Sequence, residues 1–230
     1  MILAAGLGTR LRPLTLKTPK PLIKLQGKFL ISYALDYMFQ AGVQKIAINT
    51  HYLADQIPKA LGDNYKGIPI TYIYEPEILG TGGALKNACE QVLGFDEPVL
   101  LMNSDIALDL DLPAFLATHE NAQPVATLLV KTVERGENFV EIGSDSKGYV
   151  QGMIGLIPYA GPPLLERQFC GVHIISSQAL KKFPAQKSFG IIDAFYVPLI
   201  KSGAQILAVE QTGYYSDLGT LESLKEAEQR

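Results

Sequence analysis

The stretch Met1–Leu22, MILAAGLGTRLRPLTLKTPKPL, decides the fold. Ile2, Leu3, Ala4 and Ala5 make a short apolar run suited to a buried strand, and it passes directly into Gly6-Leu7-Gly8-Thr9-Arg10. Small residues and glycines let a backbone approach a ligand closely, so that loop N–H groups can face phosphate oxygens. Arg10 would add a planar guanidinium fork and Lys20, held between Pro19 and Pro21, a point charge. Two familiar phosphate loops do not fit. The run lacks the Gly-x4-Gly-Lys-Ser/Thr of a P-loop, and Leu11 stands where a dinucleotide fingerprint needs its third glycine.

Working outward, the chain alternates strands and helices. Phe29 to Ala41 carries apolar residues at helical spacing and stops at Gly42; Val43 to Asn49 reads as a buried strand. Asp55 to Leu61 is a short helical candidate interrupted by Pro58, and Ile68 to Tyr74 is a β-branched and aromatic strand. Thr81 to Leu93 reads as a helix, and Pro98 to Met102 as an apolar strand ending at Asn103-Ser104-Asp105. Such alternation predicts an α/β fold, a Rossmann-like, mostly parallel mixed sheet with helices on both faces. Ligands of these sheets gather at the carboxyl ends of the strands. The first loop, Glu75 and Asp105 would share that rim.

From Val125 the pattern shifts to strands at Val125–Val130 and Phe169–Ile175, with a hairpin of Phe139–Ile142 and Tyr149–Gly152 around Asp145–Gly148. Helices are expected at Ser177–Phe183, Ile191–Ser202 and Thr220–Gln229, and a strand at Gln205–Val209. No Pro/Gly/Ser linker separates the halves. A single domain over residues 1–230 is therefore expected, with 1–124 as a nucleotide-binding half and 125–230 as an acceptor half.

Composition narrows the partners. Apolar residues make up 47% of the 230, enough for a substantial core, and no apolar run has the length of a membrane span. A net charge of −3 argues against a nucleic-acid or anionic-membrane surface. Six of the twenty basic residues, however, fall between positions 10 and 28, the local enrichment a triphosphate would need. Cys89 and Cys170 lack metal-type spacing and read as buried thiols of a reducing compartment. With Met1 opening directly on the first strand, no targeting peptide is expected, which makes the cytoplasm the expected location.

The run LAAGLGTRLRPLT followed by TPKPLIKL resembles the amino-terminal signature of the sugar-1-phosphate nucleotidyltransferases, also called nucleotide-sugar pyrophosphorylases. The match holds its internal spacing for about twenty residues, and a looser likeness extends to the chain's end. The resemblance implies a loop, with Leu3, Ala4, Ala5, Gly6, Gly8 and Thr9, that holds a nucleoside triphosphate. It implies Arg10 on the leaving phosphates and Lys20 on the reacting α-phosphate. It implies a sugar 1-phosphate as acceptor and Mg²⁺ as cofactor. Asp105, in Asn-Ser-Asp, resembles the family's metal-binding element, with Asn103 beside it. Asp217, in GYYSDLGTLESL, resembles the late W-x-D-x-G-T segment, with Tyr215 where tryptophan is commoner.

Base reading would fall to Glu75 and the Leu79–Gly83 loop, including Gly80 and Thr81, whose glycines would let a flat base lie on the backbone. A carboxylate accepts two hydrogen bonds and suits the adjacent N1–H and N2–H donors of guanine, whereas uracil offers one. GTP is favoured on that ground. The LGTGGA loop resembles mannose- or heptose-1-phosphate guanylyltransferases, while the short second half resembles N-acetylmuramate-1-phosphate uridylyltransferases. On the acceptor side the usual Glu-Lys-Pro lysine has no counterpart in Val150–Gln168, and the usual Tyr-Gly pair stands as Phe139-Val140. Glu141, Gly171 and Asp193 are the candidate sugar contacts. Uridylyl transfer, cytidylyl transfer and a non-catalytic nucleotide-sugar sensor stay open, as does a homo-oligomer.

Overall fold

The computed structural model describes residues 1–132, 142–153, 156–157, 161 and 164–230. β1 (Ile2–Leu3) runs into three 3₁₀ turns at Thr9–Leu11, Leu14–Leu16 and Lys20–Leu22. A small ribbon, β2 (Lys24–Leu25) with β3 (Lys28–Phe29), leads to α1 (Leu30–Gln40) and β4 (Ile46–Thr50). Next come α2 (Gln56–Leu61), β5 (Asn64–Tyr65), β6 (Ile68–Tyr74) and α3 (Gly80–Ala88), whose end widens into a π turn over Cys89–Leu93. β7 (Val99–Asn103), β8 (Ile106–Leu108), α4 (Leu112–Ala122) and β9 (Ala126–Thr132) follow. β10 (Ile142–Ser144), β11 (Val150–Met153), β12 (Leu165–Ile175) and α5 (Ser177–Leu180) come next, then α6 (Val197–Lys201), β13 (Ile206–Glu210), β14 (Tyr215–Asp217) and α7 (Leu221–Glu228).

The main sheet begins as the expected parallel set, in the order β6-β4-β1-β7, with Ile2 opposite Ile48 on one side and Met102 on the other. β12 then enters antiparallel, pairing Val172 with Met102 and, on its far side, His173 with Leu128 of β9. β13 lies parallel to β9. Because β12 is hydrogen-bonded to β7, one sheet runs unbroken through both halves of the chain, and the fold is a single α/β domain.

Alternation along the strands sorts the core into two layers. Ile2, Ile46, Ile48, Leu100 and Met102 face α1 and α4, packing on Ile31, Leu35, Met38, Leu112 and Phe115. Ala47, Ile73, Leu101 and Leu128 face the opposite layer of Leu85, Ala88, Phe195 and Tyr196. A third cluster of Ile23, Leu25, Leu30, Ala107, Leu218 and Leu224 clamps α7 onto the β2–β3 ribbon and β8. Thr220 caps α7, accepting from Ser223 N at 3.1 Å.

Several expected elements differ. The helix expected over Ser177–Phe183 closes at Leu180. That expected over Ile191–Ser202 divides into a π turn at Ile192–Tyr196 and α6, with Pro198 in α6's first turn. Proline's missing N–H costs nothing in a first turn. The hairpin around Asp145–Gly148 is formed by β10 and β11, with Gly143 opposite Gly152, whereas Phe139 to Glu141 lie outside the described residues. Among the described residues, no helix is long and apolar enough to cross a membrane.

Candidate active site

A cleft of about 250 Å³ opens at the carboxyl ends of β1, β4, β6 and β7. Of the residues assigned to nucleotide binding, Leu3, Ala4, Ala5, Gly6, Lys20, Glu75, Gly80, Thr81 and Asn103 line it, together with Asp105. Gly8, Thr9 and Arg10 do not line it; they form the adjoining turn. Gly8 has φ +62°, and a Cβ there would meet Thr15 Cγ2 at 2.9 Å and Lys20 Cβ at 3.2 Å. Thr15, fully buried, donates to Gly8 O at 2.7 Å. Gly8 is thus needed for a left-handed turn that packs straight onto Lys20.

Lys20 is buried to 8% exposure and pairs with Asp105 Oδ2. Two of its neighbours in the basic stretch turn elsewhere. Lys24 lies over the Phe29 ring, and Lys28 pairs with Asp36 and lies over Tyr33. The enrichment between positions 10 and 28 is therefore a poor guide to the cleft, because the β2–β3 ribbon carries both lysines onto another surface.

Asp217 is brought alongside Asp105 by two three-residue strands. β14 pairs antiparallel with β8, Asp217 stands opposite Ile106, and Leu218 N donates to Asp105 O at 2.9 Å. Gly219 supplies the remaining geometry. A Cβ on it would meet Arg10 Nη2 at 2.5 Å and Asp217 Oδ1 at 2.8 Å, so the guanidinium rests on this glycine beside the second carboxylate. Lys20 thus meets Asp105 and Arg10 lies beside Asp217, with the two aspartates joined through β8 and β14. Among the described residues no group of three or more His, Cys, Asp or Glu side chains is arranged to hold a metal. A pair of aspartates matches the one or two carboxylates that Mg²⁺ takes beside substrate phosphates.

Glu75 is 1% exposed and held from both sides: Asn49 Nδ2 donates to Oε1 at 2.9 Å and Leu79 N to Oε2 at 3.1 Å. Asn49 is oriented in turn by Ala4 N, which donates to its Oδ1 at 2.9 Å. His51 Nδ1 donates to the Glu75 carbonyl at 2.7 Å. Asn49 also lines the cleft, as do Pro21, Ile78 and Ser104, none of which sequence reasoning singled out. The signal for Asn49 was a polar side chain closing an otherwise apolar buried strand, Ile46–Ile48, at the ligand-bearing rim.

The glycines of Leu79–Gly83 also serve an unexpected packing purpose. The segment 187–191 packs against them: a Cβ on Gly80 would meet Phe189 O at 2.6 Å, on Gly82 the Phe189 ring at 2.3 Å and on Gly83 Lys187 O at 2.5 Å. Gly82 N and Gly83 N both donate to Phe189 O at 3.1 Å, and Ile191 N donates to Thr81 Oγ1 at 2.9 Å. Chain packing accounts for the absence of side chains at these positions.

Of the expected sugar contacts, Gly171 sits at φ +74° where the β12–β9 register shifts, and a Cβ there would meet Asn103 Nδ2 at 2.6 Å. It therefore borders the cleft through Asn103. Asp193 is not part of the cleft lining; its exposed carboxylate lies against Gly190. Glu141 lies outside the described residues.

A parallel sheet whose carboxyl rim gathers a glycine turn, a buried lysine and strand-end acids defines a class of nucleotide-handling α/β proteins. Within that class the chain belongs to the nucleotidyl transferase family, whose model matches residues 1–155. It is 27% identical over 221 residues to the mannose-1-phosphate guanylyltransferase catalytic subunit beta of Drosophila pseudoobscura pseudoobscura, covering 95% of this chain and 58% of that protein. It is 28% identical over 236 residues to the UTP–glucose-1-phosphate uridylyltransferase of Synechocystis, covering 95% and 59%. The chain thus spans about three-fifths of these curated relatives' lengths. Among solved structures, HddC from Yersinia pseudotuberculosis complexed with GMP-PN is 27% identical, with a TM-score of 0.77 over 99% of this chain and 96% of the other.

Proposed function

We propose that this protein transfers the guanylyl group of GTP to a sugar 1-phosphate, giving a GDP-sugar and pyrophosphate. The observation that carries the reading is the meeting, in one cleft, of the buried Lys20–Asp105 pair and the clamped Glu75 carboxylate. Support comes also from the guanylyltransferase relatives and from the GMP-PN named with HddC. The acceptor's phosphate oxygen attacks the α-phosphorus in line with the departing pyrophosphate. Such transfers need positioning and charge neutralisation more than covalent help. Lys20 holds the α-phosphate, Arg10 the leaving phosphates, and Glu75 the guanine edge. Leu3, Ala4, Ala5, Gly6, Gly8, Thr9, Gly80, Thr81 and Asn103 form the walls. Asp105 and Asp217 would hold Mg²⁺, which supplies neutralisation of phosphate charge when bound.

In this reading residues 1–124 bind nucleotide and 125–230 form the acceptor side, with Gly171, Asp193 and Glu141 as the candidate sugar contacts. The buried thiols of Cys89 and Cys170 support a cytoplasmic setting. A second reading, uridylyl transfer, is favoured by the Synechocystis relative. Pyrophosphate release, measured with GTP, UTP and CTP against mannose, heptose, glucose and N-acetylmuramate 1-phosphates, decides between them. GTP turnover with a mannose- or heptose-type acceptor is expected. UTP turnover would replace the base assignment. Nucleotide binding without turnover for any pair would make the protein a sensor.

A further inference from the structure

Asn49 has no place in the chemistry above, yet it links two elements of the cleft. Its Oδ1 accepts from Ala4 N at the end of β1, and its Nδ2 donates to Glu75 Oε1 after β6. Leu79 N holds the other carboxylate oxygen. An ionised carboxylate offers about four acceptor positions, and this clamp uses one on each oxygen. The group is 1% exposed and cannot reorient without breaking both bonds. A carboxylate held in this way keeps acceptor capacity on each oxygen at the cleft wall, enough to accept two N–H bonds. An unclamped carboxylate would rotate and accept either one.

We infer that Asn49 is a positioning residue for base selection: it sets the Glu75 carboxylate so that the 2-amino group of a purine is read together with N1–H. The inference rests on the guanylyl reading. It extends that reading by specifying discrimination against 6-oxopurines that lack the 2-amino group, with Asn49 acting through Glu75. The energetic ground is that a hydrogen bond to a charged, buried acceptor is worth roughly a 10- to 100-fold change in an equilibrium or rate.

The test compares kcat/KM for GTP and ITP, which differ only by the 2-amino group, in the full chain. The native protein is expected to favour GTP over ITP by about 10- to 100-fold. Asn49→Asp keeps the acceptor for Ala4 N but sets a carboxylate against Glu75 in place of the amide donor. It should bring the GTP/ITP ratio close to one, mostly through loss of GTP turnover. Asn49→Leu should do the same if it folds; Asn49→Asp, nearly isosteric, carries the test if Asn49→Leu does not. Glu75→Gln should also abolish the preference, and adding Asn49→Asp to it should change the ratio no further. A GTP/ITP ratio unchanged in Asn49→Asp, with GTP still the native substrate, would overturn the inference alone. A ratio still moved by Asn49→Asp in the Glu75→Gln background would show that Asn49 touches the base itself, and would overturn it too. A native preference for UTP over GTP would instead overturn the guanylyl reading and with it the inference.

Discussion

The two ends of the sheet hold their functional groups by different means. On the proposed nucleotide side, four parallel strands deliver Leu3, Asn49, Glu75 and Asn103 to one rim, and hydrogen bonds between neighbouring strand ends hold Asn49 and Glu75. On the proposed acceptor side, the antiparallel β12 reaches the same rim by a bulge at Gly171, and Asp193 lies on a π turn whose preceding segment hydrogen-bonds to α3. Strand ends in a parallel sheet are in register by construction. A bulge or a π turn is a local irregularity whose geometry depends on one or two residues. The nucleotide side should therefore lose activity when a charge is removed, and the acceptor side should lose stability when a glycine is filled.

Asp105→Asn gives the largest expected effect. Pyrophosphate release should fall by about 10³-fold while nucleotide binding, followed by equilibrium titration, persists. An equal loss of binding would mean that Asp105 supports the cleft rather than the reaction. Gly219→Ala comes next. Its Cβ would push against Arg10 Nη2 and Asp217 Oδ1, and kcat should drop by roughly 10²-fold with little change in melting temperature, since a displacement of this size is costly in a positioned site.

Gly171→Ala should act on stability. The φ of +74° and the 2.6 Å approach of Asn103 together cost about 2 kcal/mol, read as a fall in Tm of about 4–8 °C with calorimetry. The smallest effect concerns His173 in β12, which shares a 2.8 Å hydrogen bond with Tyr196 Oη. Burial pushes its pKa from the ordinary 6.5 to about 3. The folded protein thus keeps the ring neutral while the unfolded chain protonates it below pH 6.5. Stability from this group is complete above that value and declines as the pH falls towards 3, by roughly 1.4 kcal/mol at pH 5.5. Urea denaturation at pH 7.5 and 5.5 measures the difference. NMR should show a His173 ring that does not titrate in the folded protein over that interval.

Much of the nucleotide side could be read from sequence because long-range periodicity governs it. Apolar runs such as Ile46–Ile48 and Val99–Met102 are recognisable as buried parallel strands, and their order placed Glu75 and Asp105 on one rim. What escaped was short or cooperative. β8 and β14 have three residues each, too few for any periodic signal, yet they join Asp217 to Asp105. The resemblance supplied both aspartates without the strands that connect them. Asn49 closes an apolar strand, but its role emerges only from Ala4 and Glu75, which flank it in space. The packing role of the glycines at 80, 82 and 83 is not legible in sequence, since their partner segment lies more than a hundred residues away.

That distant partner has an electrostatic consequence. The start of a helix is normally a ready anion seat, its first N–H groups pointing outward. In α3 two of those donors already end on the Phe189 carbonyl. In the proposed reaction the triphosphate would find that seat occupied, and its charge would be met elsewhere in the cleft, by Lys20 and Arg10. Turnover on such a design should weaken as added salt competes for those partners.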